Sequence, residues 1–162
     1  MRMVYWLFVI GAALFISGIG FIVVGARAAQ RGPARPDTPT LAPVASVKQI
    51  MNGIVQPSAN VVFGSVGTII SAAGTVEKSP KTEEEWAAVG SSAVALVESA
   101  NLLVMGDRAV DRGDWVTMSR ALADAGMETL KATEAKSSEG VLAAGAVVNQ
   151  ACDNCHRKYQ RE

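Results

Sequence analysis

Ser138-Glu139-Gly140-Val141-Leu142-Ala143-Ala144-Gly145-Ala146-Val147-Val148-Asn149-Gln150-Ala151-Cys152-Asp153-Asn154-Cys155-His156-Arg157-Lys158-Tyr159 is the stretch from which the rest of the chain is read. Spacings of three and four place Val141, Gly145, Val148, Cys152, Cys155 and Tyr159 on one stripe of a helix. The apolar seam of that helix and its two cysteines therefore share a face. Side chains on this stripe turn toward the interior of whatever the helix packs against.

Within the stretch, Cys152-Asp153-Asn154-Cys155-His156 has the C-x-x-C-H spacing of covalent c-type haem attachment. Two thiols three residues apart on one helical face can form thioethers to the two vinyl groups along one haem edge. A histidine directly after the second cysteine can then bind the iron. The chain holds 2 Cys and 1 His, and all of them lie in this pentapeptide. A structural zinc site wants four protein ligands, and no second Cys/His cluster supplies them. A thioredoxin-like dithiol wants a βαβ setting, and no strand pattern is read here. A plain disulfide leaves the adjacent His unexplained. One motif sets a ceiling of one covalent haem, with its iron.

Composition sets the frame. The 162 residues are 49% hydrophobic, enough for one modest domain plus extra segments. Formal net charge is zero, so nothing points to nucleic acid. Charge is unevenly spread: Arg2, Arg27, Arg31 and Arg35 precede Val44, with Asp37 the one acid there. Of 15 acids and 15 bases, 14 and 11 respectively remain from Val44 onward, so that part is mildly acidic.

Residues 3–26 carry no charge. About 20 apolar residues span a bilayer as a helix, whereas signal-peptide cores run to about 7–15. Residues 1–27 are read as an uncleaved transmembrane anchor, although Ala26-Arg27-Ala28 also resembles a small-x-small cleavage site. The flanking arginines alone would put the following chain in the cytoplasm. Bacterial haem attachment outside the cytoplasmic membrane demands the reverse, and large domains translocate despite such flanks. The expected location is the inner membrane, single-pass, with the haem domain in the periplasm. Gly11, Gly18 and Gly25, with Ala13 and Ser17, offer small positions for a neighbouring membrane helix, or reflect the ordinary glycine content of such helices.

Residues 28–43 hold four of the 6 prolines and form the expected extended linker. Residues 44–162 read as four helices. The first, about Val44 to Ala73, uses Val47, Met51, Ile54, Val62, Val66 and Ile69, and Pro57 must kink or divide it. Glu77 to Lys81 is read as a turn. The second opens on the capping box Thr82-x-x-Glu85 and repeats Trp86, Val89, Ala93, Leu96, Ala100 and Leu103, ending near Gly106. Asp114 is expected to cap the third, with seam Trp115, Met118, Leu122, Ala125 and Thr129. Ser137 or Ser138 opens the fourth. Short connections favour an up-down-up-down antiparallel arrangement. The expected fold is thus all-α: transmembrane helix, Pro-rich linker and antiparallel four-helix bundle.

A four-helix domain closing on Cys152-Asp153-Asn154-Cys155-His156-Arg157-Lys158-Tyr159 resembles cytochrome c prime and its methionine-ligated relatives. The resemblance covers about residues 44–162; the anchor and linker lie outside it. It implies Cys152 and Cys155 as thioether sites, His156 as proximal ligand, and a bundle often paired as a homodimer. It also implies that a residue of the first helix faces the sixth iron position. Met51 is the one Met there and becomes the candidate distal ligand, though Met is also a routine core filler. Met105, Met118 and Met127 lie on other helices and are weaker candidates. A Met ligand implies electron transfer; an apolar distal side implies a five-coordinate iron binding nitric oxide or carbon monoxide.

No second His marks a distal acid–base pair, and Arg120 is one of several helical bases, which weighs against a peroxidase and against an enzyme generally. Arg157, Lys158 and Arg161 serve either partner docking and propionate pairing or the helix macrodipole. Glu83-Glu84-Glu85 is first-turn helix charge. The expected function is electron transfer beside or within a membrane respiratory or photosynthetic complex. An accessory subunit with a peripheral haem is a further alternative.

Overall fold

A computed structural model describes residues 2–30 and 42–160. The chain divides into two compact units, Met1–Thr40 and Leu41–Glu162. Residues 31–41 of the expected 28–43 linker, with Arg31 and Arg35, lie outside the described residues, as does Arg161.

The first unit holds one helix, α1 (Arg2–Gln30), which continues three residues past the expected anchor boundary at Arg27. Its Arg2–Ile19 window is long and apolar enough to cross a membrane and is not buried, a property that an anchor and a signal sequence share. Among the described residues α4 (Glu83–Leu103) also meets that length and composition. It does so as a core helix, with Trp86, Val89, Ala93, Leu96, Ala100 and Leu103 buried.

The second unit is mostly helical. It begins with α2 (Val47–Ile50), whose Ser46 forms a reciprocal capping box with Gln49. A π turn follows at Met51–Val55, then α3 (Gln56–Ser65). Pro57 explains the π turn. It has no amide hydrogen for the i−4 carbonyl, and its ring crowds that oxygen. Widening the preceding turn to i→i+5 relieves the clash, and Gln56 donates to the Met51 carbonyl. The extra residue shifts the helical phase. Ile50, Val55, Ala59 and Val62 form the buried face, with Val47, Met51 and Ile54 only partly covered. The expected seam allows for a disturbance at Pro57 but keeps one helical phase across it, and that one-residue insertion corrects the phase.

The expected first helix also ends early. Gly67–Ser71 (β1) and Gly74–Lys78 (β2) form an antiparallel hairpin pairing Ile69 with Val76, and the structure is therefore not purely helical. Val66 remains in the core, but Ile69 is 54% exposed on the hairpin. The Glu77-to-Lys81 turn is likewise shortened, since Glu77 and Lys78 belong to β2.

Thr82 caps α4 as expected, with Glu85 reaching back to its amide. A short 3-10 turn, Gly106–Arg108, leads toward α5 (Asp114–Glu134). Asp114 does not cap α5. The cap position is Gly113, and Asp111 does the work: its Oδ1 accepts from the amides of Gly113 at 2.8 Å and Trp115 at 3.1 Å. Helix α5 closes in a Schellman pattern, with Lys136 at φ 51° and Ser137 N–H donating to the Ala132 carbonyl. Ser137 then caps α6 (Ser138–Tyr159).

Neighbouring helices run antiparallel. A Cβ at Gly90 would meet Thr133, and one at Gly126 would meet Ala93 and Val97. Nearer the far end Trp115 Nε1 donates to the Leu103 carbonyl, so numbers rise along α4 as they fall along α5. The pairs Gly140 with Ala132 and Tyr159 with Trp115 give α6 the same relation to α5. Gly145 lies against Val62 and Phe63 of α3, which brings α6 back to the start. The interior polar side chains are satisfied: Ser99, Ser119 and Thr129 return their hydroxyls to carbonyls of their own helices.

Candidate functional site

Helix α6 carries both cysteines on its half-buried side and His156 one position further, on the exposed side. Its last turn holds His156 together with Arg157 and Lys158, two cations that suit the negative end of the helix dipole. Cys152 packs at the margin of the hydrophobic core, and Cys155 is equally half-buried. Burial pushes both thiols above their ordinary value of 9.0, with Asp153 and then Cys155 adding to the effect at Cys152. A dithiol built for exchange shows the opposite, a thiolate favoured by positive surroundings.

The two cysteines border a cleft lined from four segments of this unit: Met51 and Val55 from the π turn, Leu103 from α4, Met118 and Leu122 from α5, and Cys152, Cys155 and His156 from α6. The structure thus brings together all four residues singled out for the site, Cys152, Cys155, His156 and Met51. It adds Met118, which was placed on the third helix seam and treated as a weaker ligand candidate. Both methionines line the cleft from segments other than α6, Met51 from the π turn and Met118 from α5. The signal for Met118 lay in its seam position beside Trp115 and Leu122. Met105 and Met127 do not line the cleft.

As folded, the cleft encloses about 20 Å³, room for about one water. Seating a macrocycle requires its walls to part. The donor set nevertheless fits a c-type haem: two cysteine sulfurs for the thioethers, one imidazole, methionine sulfurs from two other segments, and an apolar remainder of Val55, Leu103 and Leu122. Among the described residues no three His, Cys, Asp or Glu side chains converge to hold a bare metal ion. The arrangement therefore lacks the closed ligand set of a structural zinc site.

The surrounding charges are largely paired. Lys158 makes an ion pair with Asp114 of α5 and lies 5.3 Å from the centre of the Tyr159 ring. Arg157 bonds Asn154 on its own helix. The Tyr159 hydroxyl donates to Asp111 Oδ2, and that bond, followed by the Trp115 amide, holds the Asp111 carboxyl below its ordinary value. Glu83 pairs with Lys136 at the other end of α4, away from the cleft.

No family model, curated protein or solved structure matches this chain.

Proposed function

We propose that this chain is a membrane-anchored monohaem c-type cytochrome that transfers electrons, with its helices forming an antiparallel four-helix bundle of the cytochrome c prime kind. The observation that carries it is the meeting of Cys152, Cys155, His156 and Met51 at one cleft. In this reading Cys152 and Cys155 hold the haem edge and His156 binds the iron. Met51, on the π turn, would hold the iron as a soft donor, which raises a haem's reduction potential. Haem bound there supplies one-electron exchange at its iron. Val55, Leu103 and Leu122 keep the gap apolar and exclude water. Helix α1 holds the domain at the inner membrane, on its periplasmic side, beside or within a respiratory or photosynthetic complex.

A second reading is a five-coordinate iron open to nitric oxide or carbon monoxide, favoured by the apolar side chains that share the gap with the methionines. The test is mass spectrometry of the natively produced chain, followed by ferric and reduced spectra of wild type, Met51→Ala and Met118→Ala. Electron transfer with Met51 ligation predicts one covalent haem, a weak far-red Fe–S band, and loss of that band in Met51→Ala alone. Loss in Met118→Ala alone moves the ligand to α5. A high-spin wild type that binds carbon monoxide rapidly selects the second reading. Free thiols with no tetrapyrrole mass exclude both.

A further inference from the structure

The connection between α4 and α5, residues 104–113, bonds to segments adjoining several of the elements that line the cleft. On one side Arg108 Nε donates to the Ala45 carbonyl at 2.8 Å, directly ahead of the Ser46 cap of α2 and the π turn that carries Met51. The same guanidinium donates to the Leu102 carbonyl at 3.1 Å, tying that hold to the end of α4. Pro43 is pressed on Gly106 beneath it: a Cβ there would lie 3.0 Å from Pro43 Cγ, and Gly106 sits at φ +63°. On the other side Asp111 accepts the Tyr159 hydroxyl, one helical turn beyond His156 on α6. Its second oxygen caps α5, which supplies Met118.

We propose that this connection is a strap that sets the gap between His156 and Met51, with Arg108 and Asp111 as positioning residues. This rests on the haem reading of the cleft. Arg108 fixes the start of the wall that bears Met51, and Asp111 with Tyr159 fixes the end of the wall that bears His156. Both anchor points lie on one short, tightly turned segment, so neither wall moves independently of the other. A gap that must admit a macrocycle and still offer a sulfur on the far side needs such a limit. Arg108 suits the task because its planar fork reaches two carbonyls at once, which a lysine ammonium does not reproduce.

The test uses the full-length holoprotein with two charge-neutral changes, Tyr159→Phe and Arg108→Lys. Gly126→Ala serves as a control that disturbs helix packing away from the cleft. Haem content, midpoint potential, the far-red band and the carbon monoxide association rate of the reduced protein are measured. The strap predicts that each variant keeps its haem, shifts the potential, and changes the association rate about tenfold, while the control changes unfolding stability alone. The double variant should exceed either single one. Strap variants that lose stability like the control, with potential and association rate unchanged, overturn the proposal. A wild type without covalent haem removes the haem reading itself, a separate outcome read from mass alone.

Discussion

The rings of Trp115 and Tyr159 meet edge to face, centroids 5.0 Å apart and planes at 76°. Trp115 is 4% exposed and donates its indole N–H to the Leu103 carbonyl at 2.8 Å. One side chain thus joins the first turn of α5, the last turn of α4 and the last turn of α6. Trp115→Ala is expected to cost about 3–5 kcal/mol through the cavity it leaves. Trp115→Phe should cost less, about 1–3 kcal/mol, chiefly for the Leu103 carbonyl left without its partner. Urea unfolding of the holoprotein checks both, and equal losses for the two variants would discount the indole bond.

Gly126 permits the close approach of α5 to α4. A Cβ there would lie 2.8 Å from Val97 Cγ2 and 3.3 Å from the Ala93 carbonyl oxygen. Gly126→Ala should destabilise by about 1–3 kcal/mol despite its better helix propensity. Adding Val97→Ala should recover part of that loss, because the nearest clash is with the valine methyl. A double-mutant cycle reads the coupling, and strict additivity would place the strain on the backbone contact instead.

Deleting Gly53 probes the π turn. The deletion restores an i→i+4 ladder and rotates α2 by about 100° relative to α3. Ile50, now 2% exposed, would turn out of the core. The expected loss is about 2–5 kcal/mol, similar to removing a buried aliphatic side chain. Under the proposed Met51 ligation, the far-red band should vanish with it. Retention of both stability and band would show that the insertion does not set the phase.

Asp111 and Tyr159 give opposite limbs of a pH profile. The Tyr159 hydroxyl, then the Trp115 amide, lower the Asp111 carboxyl below its ordinary 3.8. A depressed carboxyl contributes stability that is present above the unfolded value and is lost as pH falls through the folded one. Tyr159 is raised above its ordinary 10.0, first by its bond to Asp111. Its contribution is present below the unfolded value and is lost as pH rises through the folded one. Tyr159→Phe should therefore flatten stability both below about pH 4 and above about pH 10. Thermal melts across those two windows check it, and unchanged limbs would refute the bond in solution.

Much of this was legible in the sequence where the helical period ran unbroken. Thr82, Glu85 and the six buried seam positions of α4 could be read directly, because no proline or glycine-linked turn interrupts them. The first helix could not, since periodicity alone carries no mark of a one-residue insertion. Pro57 announced a disturbance without saying whether the turn before it would kink or widen. The hairpin was missed because Ala72-Ala73 lacks the Asn-Gly or Asp-Gly signature of a tight turn. Its signal was the pair of β-branched runs Thr68-Ile69-Ile70 after Gly67 and Thr75-Val76 after Gly74. At the cleft, the motif residues followed from spacing, and Met51 from the resemblance to cytochrome c prime together with its place on the first helix. Arg108 and Asp111 did not, because their partners lie 63 and 48 residues away.

The hairpin has a practical consequence. Apart from Gly67, every residue of both strands is exposed, and the pair follows α3 at the end of α4 remote from Leu103, about 30 Å along a helix of that length. Ala72-Ala73 is accordingly the place to splice in a fluorophore tag or an epitope. A label grafted there would report where the molecule goes while leaving its chemistry undisturbed.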